Sequence, residues 1–219
     1  MPLELQDVDF ADGPAVQNVY ISAFFDDRMN QTLFPGMSFD QLLAGAISRW
    51  PRINGGLERK VYKKVVDTTS NEVIGYSIWG FQNTTAGEKL AKPIGLPEGF
   101  VPERPVTPEG LDDPSAVEFT DKCAAVKKRV VGDRPAIILR MLGTLPSHRC
   151  RGAGGLHLAW ANEVADREGL VCFTEASPVA LPLYESFGYK RVENGDIVSR
   201  VIDGGTYTYA VVIREPQNK

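Results

Sequence analysis

The sequence predicts an α/β fold, a mixed sheet covered by helices. Three observations lead there. Alternating or β-branched runs recur from one end to the other, amphipathic helical patterns separate them, and the C-terminal third alternates strand with helix. The 219 residues suit one domain, 1–219, with room for insertions. A chain of that size buries roughly 70% of the surface its unfolded form exposes, so a core needs neither disulfides nor metal.

The elements follow in order. Residues 3–8 alternate (Leu3, Leu5, Asp7) and read as an opening strand. Asp12 is placed as a helix cap and Pro14 sits early, where its missing N–H costs little. Val16, Val19, Tyr20 and Phe24 then recur at helical spacing. A second helix starts at Ser38, has Leu42, Ile47 and Trp50 on one side, and ends at Pro51 or Gly55-Gly56. Two strands, 61–67 and 72–81, are joined by Thr68-Thr69-Ser70-Asn71, a hairpin turn. Six prolines between Pro93 and Pro114 mark an irregular excursion. A helix over 114–131 follows, with Asp113 as cap, Gly132 as stop and Phe119, Cys123, Val126 and Val130 as its apolar stripe. The last third reads as strand 136–145, helix 155–167, strand 170–175, helix 178–187, and strands near 189 and over 206–213.

Composition excludes several classes. With 24 basic and 28 acidic side chains the net charge is −4, against a phosphate-tracking surface, so no nucleic-acid partner is expected. Cys123, Cys150 and Cys172 form no C-x-x-C pair, which fits a reducing compartment and no metal cage. The first ten residues carry acids where a signal peptide carries bases, and no run of about 18 apolar residues exists. A cytoplasmic protein without a membrane partner is the expectation.

Chemistry concentrates between Ile137 and Gly155, I-I-L-R-M-L-G-T-L-P-S-H-R-C-R-G-A-G-G. An apolar strand breaks at Pro146, a loop carries Arg149, Arg151, Gly152 and Gly154, and a helix follows at once. Glycines let backbone N–H groups approach an anion, and the first helical turn adds unpaired donors.

This segment resembles the cofactor-binding core of the GNAT superfamily of acyl-CoA-dependent N-acyltransferases. Arg149, Gly152 and Gly154 fill its [Q/R]-x-x-G-x-[G/A] pattern, with Pro146 three residues ahead. Glu175 to Tyr189, E-A-S-P-V-A-L-P-L-Y-E-S-F-G-Y, looks like the second signature. The likeness is firm over 136–192, extends over 3–81, and is absent over 82–135, an insertion or lid. It implies a mostly antiparallel central sheet, with the insertion between the third and fourth strands.

The resemblance implies acetyl-CoA as cosubstrate. Leu142, Gly143 and Thr144 would then offer backbone hydrogen bonds to the pantetheine arm. The amides of Cys150, Arg151, Gly152, Ala153, Gly154 and Gly155 would hold the pyrophosphate, and Ser177 joins this set. Tyr184 would stand near sulfur and protonate the departing thiolate. Glu175 is the first candidate for the base. Pro182 requires that its helix start at Ser177 or later. His148 and His157 both read as solvated histidines, and Cys150 has no partner that would make it a nucleophile. Phe24, Phe25, Asp26, Asp27, Phe34, Trp79 and Phe81 would wall the acceptor side. A Phe-Phe-Asp-Asp cluster there either attracts a cationic amine or is an ordinary helix end with solvated acids. Three functions stand open. One is transfer of acetyl to a small-molecule primary amine in a ternary complex. The second is transfer to a protein lysine or N-terminus, and the third is a non-catalytic acyl-CoA-binding module. A homodimer is compatible with the likeness.

Overall fold

Strand β1 (Leu3–Asp7) pairs antiparallel with β2 (Lys60–Asp67), and β2 turns through residues 68–71 into β3 (Glu72–Gln82). Asp67 accepts from the Thr69 amide, and Asn71 takes the left-handed conformation (φ 58) that asparagine tolerates. The computed structural model describes residues 2–53, 60–91, 95, 97–100 and 106–217. Between β1 and β2 lie α1 (Gly13–Phe24), α2 (Arg28–Leu33) and α3 (Phe39–Ile53). Between β3 and β4 (Ala136–Thr144) lie α4 (Ala86–Leu90) and α5 (Asp113–Val130). Then come α6 (Ala153–Glu168), β5 (Val171–Ala176), α7 (Leu181–Ser186), β6 (Lys190–Arg191), β7 (Ile197–Arg200) and β8 (Thr206–Arg214).

The strands form one sheet in the order β1-β2-β3-β4-β5-β8-β6, with β7 also on β8. Every pairing is antiparallel except β4 with β5. This is the mixed, mostly antiparallel sheet expected. Alternation assigns the two faces. Ile137 and Leu139 pack with Trp79 against Leu158, Ala161 and Ala165 of α6. Ile138 and Phe173 pack on the other face against the Phe119, Cys123 and Val126 stripe of α5. Helix α1 lies on that second face beside α5. There Gly143 permits the approach, since a Cβ at this residue would sit 3.0 Å from Ala23 Cβ.

Three expectations change. Helix α3 runs through Pro51 rather than ending there, and Gly55-Gly56 lies outside the described residues. Helices α2 and α4 and strand β7 carried no sequence expectation. They are short, and a pattern of four to six residues holds too little periodicity to read. Helix α4 precedes the proline-rich excursion within the 82–135 insertion; the excursion itself holds the described turn at 106–112, with Pro93, Pro102 and Pro105 outside the described residues. No helix among the described residues is long and apolar enough to cross a membrane.

Candidate active site

Strands β4 and β5 are paired over three residues only, Ala136 to Ile138 against Val171 to Phe173. Beyond that they part, while β4 stays bonded to β3 as far as Thr144. The two strands therefore open a wedge toward their carboxyl ends, where parallel strands leave crevices for ligands. At its vertex the Thr174 hydroxyl donates to the Leu139 carbonyl at 3.3 Å, close enough to the Tyr184 phenol to act on its pKa.

Adjacent residues of a strand face opposite ways. Tyr184 sits with Thr174 on the α6 face, only 4% exposed, and burial lifts its phenol above its ordinary pKa. It stays a neutral O–H donor. Glu175 points to the α1/α5 face, where burial raises its carboxyl pKa while Arg140 and Lys127 oppose the rise. The two candidate acid–base groups thus address the wedge from opposite faces. Helix α7 begins at Leu181, so Pro182 falls in its first turn, as its missing donor requires.

The loop from β4 to α6 ends at Gly152, whose φ of 96 is left-handed; Cys150 is left-handed too, at φ 60. Among the described residues, no backbone or side-chain acceptor meets the N–H groups of residues 150–155. Six unbonded amides at the start of a 16-residue helix make an anion seat. Gly154 and Gly155 have a packing reason as well. A Cβ there would lie 2.8 Å from Leu183 and 3.1 Å from Phe187, so the glycines let α7 close on α6. The Arg149 side chain turns away and donates to the Ala23 carbonyl at the end of α1 (2.9 Å).

The other candidates divide. Leu142 faces α6, Gly143 faces α1, and Thr144 pairs with Gly75 at the far end of the strand. Ser177 lies near Tyr207, whose phenol pKa it lowers against the rise from burial and Asp27. Phe24 lies over Gly143, and Phe25 stacks edge-on with Phe39 at 5.5 Å, near Phe34. Asp26 is exposed. Asp27 caps α2 by accepting from Met29 and Asn30, worth about 1 kcal/mol, and accepts the Tyr207 hydroxyl at 2.7 Å. Trp79 and Phe81 do not join them. Both pack on the α6 face, and the fully buried Trp79 donates to Ser77. The odd–even alternation of β3 turns them away from Glu175.

His157 corrects a second expectation. It is wholly buried, with Nδ1 2.8 Å from Ser77 Oγ, and burial pushes its pKa down to about 3. His148 is half-buried, 3.8 Å from Glu72. Sequence reasoning missed Arg140, Thr174, Tyr207 and Tyr209. One charge inside the apolar run I-I-L-R-M-L, and the Y-x-Y that sets two tyrosines on one face, were the available signals. No cluster of metal-ligating side chains exists among the described residues.

Neither a family model nor a curated protein matches this chain. Solved structures do. An acetyltransferase of Corynebacterium glutamicum ATCC 13032 (histone acetyltransferase HPA2 and related acetyltransferase) superposes with a TM-score of 0.62 at 16% identity, over 100% of this chain and 99% of its own. Mosquito arylalkylamine N-acetyltransferase like 5b gives 0.61 at 13%, over 98% and 100%. A GCN5-related N-acetyltransferase from Kribbella flavida gives 0.53 at 14%, over 97% of each chain. The chain has the GNAT fold. Identities this low carry the architecture alone.

Proposed function

We propose that the protein is an N-acetyltransferase that moves acetyl from acetyl-CoA to the primary amine of a small molecule by direct attack in a ternary complex. One observation carries the reading: a buried phenol and a half-buried carboxylate flank, from opposite faces, the point where β4 and β5 separate beside six unbonded amides.

The amides of residues 150–155 suit a pyrophosphate. The edge of β4 released by β5, from Arg140 through Leu142, Gly143 and Thr144, suits the amide groups of a pantetheine arm. A free N–H there can stabilise the oxyanion of a tetrahedral carbon. Glu175 accepts a proton from the acceptor ammonium, freeing a lone pair. The amine nitrogen bonds to the acetyl carbon, the carbon–sulfur bond breaks, and Tyr184 protonates the leaving thiolate. The amide sheds its second proton, and Tyr184 is reprotonated, so one proton leaves per turnover.

Enclosure of the acceptor side favours a small acceptor over a protein tail. Helices α2 and α5 touch each other there, Arg28 pairs with Asp203 at 2.7 Å, and Thr32 accepts the Ile202 amide at 2.9 Å, closing the β7–β8 turn over α2. Several fold neighbours bear the names of small-amine acetyltransferases, in keeping with this.

Incubation with acetyl-CoA and an amine panel, reading released thiol, tests the proposal. Turnover that falls in Tyr184→Phe and Glu175→Gln supports it. No thiol release with any amine overturns it. Tight CoA binding combined with turnover indifferent to both variants points to a carrier module instead.

A further inference from the structure

The register of β3 on β4 slips between Ile78 and Trp79, which face Met141 and Leu139, so Arg140 is the extra residue of a β-bulge. Arg140 keeps the α1/α5 face of Ile138, two residues before it, and the bulge brings Met141, opposite Ile78, to that same face. Its guanidinium lies over Gly80, where a Cβ would stand 3.2 Å from Nε. The pair Ile138–Phe173 is followed two residues later on both strands by Arg140 and Glu175, so base and guanidinium flank the wedge on one face. Lys127 of α5 is near enough for its charge to act on the same carboxylate, outside salt-bridge distance. Among the described residues neither Arg140 nor Lys127 has a carboxylate within salt-bridge distance, Glu175 included. Asp27, the other acid of this cleft, is held by two amides and the Tyr207 hydroxyl.

Among the described residues this cleft presents one carboxylate to an amine and, beside it, two cations that have no carboxylate within salt-bridge distance. A simple alkylamine or polyamine would bring its positive charge against both. A zwitterion satisfies all three groups. We infer that the acceptor is an amino acid, its amine directed to Glu175 and its carboxylate read by Arg140, with Lys127 as a second contact. The guanidinium can take a carboxylate in two parallel hydrogen bonds, a geometry lysine lacks. The inference rests on the acetyl-transfer reading and names the substrate class of that site.

Matched pairs decide it. Thiol release from acetyl-CoA is measured with phenylalanine against phenethylamine, tryptophan against tryptamine, and arginine against agmatine. The expected result is a higher kcat/KM for at least one amino acid than for its decarboxylated partner. In Arg140→Met that ratio falls about 10- to 100-fold, through KM, the size of a charge-assisted contact. Arg140→Lys restores part of it, and Lys127→Ala lowers it less. The ratio within a pair cancels any general loss of activity, including one through Glu175. Free amines used as well as or better than every amino acid, with a ratio that Arg140→Met leaves unmoved, would overturn the inference and leave the acetyl-transfer reading standing. No thiol release with any acceptor of either kind overturns both.

Discussion

In the proposed reaction, proton transfer rests on two side chains that burial treats alike and that serve different ends. Desolvation disfavours the charged form of each, so the Tyr184 phenol keeps its proton and the Glu175 carboxyl gives its own up later than an exposed glutamate would. A neutral phenol is a proton donor for a thiolate. Tyr184→Phe should therefore lower kcat roughly 10²- to 10⁴-fold, the usual worth of a positioned acid, with CoA affinity by calorimetry unchanged. An undiminished kcat would remove Tyr184 from the chemistry. Glu175 sets a limb in the pH profile. Below its folded pKa it is protonated and cannot accept the ammonium proton, so kcat/KM should rise with pH through a midpoint above the 4.5 of an ordinary glutamate. Arg140 lowers that pKa by favouring the carboxylate. Arg140→Met should then shift the limb to higher pH when assayed with an amine that carries no carboxylate. A shift to lower pH, or none, would contradict the assignment of Glu175 as base.

At the scale of elements, the wedge exists because neighbouring strands and helices hold β4 where β5 lets it go. Gly143 is the tightest of these contacts. Its missing side chain seats α1 against β4, with Ala23 and Phe24 on top and Arg149 tying the end of α1 back to the loop. Gly143→Val should lever α1 off the sheet at a cost of about 1–3 kcal/mol, typical of overpacking. Denaturant unfolding measures that cost, and CoA affinity should fall with it. How much of this was legible follows from the same residues. The strand–loop–helix at 136–155 was readable because a proline break, glycines and a helical period sit within one short window. Glu175 and Tyr184 were readable because their segment repeats that grammar. Trp79 was misassigned because membership of β3 does not say which face a residue takes until the register is fixed. The bulge at Arg140 arises from pairing with another strand, so the local sequence carries only its odd charge. His157 looked exposed because its partner, Ser77, is 80 residues away.

For the molecule as a whole, His157 makes the fold sensitive to acid. It pins α6 to β3 through Ser77, which also accepts the Trp79 indole N–H at 2.8 Å, and Trp79 packs edge-on against Trp160 of α6 at 5.6 Å. Burial, helped by nearby Lys63, keeps the imidazole neutral down to about pH 3. The unfolded chain binds that proton near pH 6.5. Above pH 6.5 neither state is protonated and the residue costs nothing. As pH falls from 6.5 toward 3 only the unfolded state gains the proton, so stability declines throughout that window. At pH 5, a further 1.5 pH units down, the loss is about 2 kcal/mol. His157→Asn keeps a polar group toward Ser77 but cannot titrate. It should start less stable at pH 7, from the cavity it leaves, and lose about 2 kcal/mol less than the native chain between pH 7 and pH 5 in urea unfolding. Equal losses in both proteins would place the acid sensitivity in other groups. The folded chain keeps His157 neutral at pH 5, so CoA affinity should change between pH 7 and pH 5 by the same factor in both proteins while their stabilities diverge.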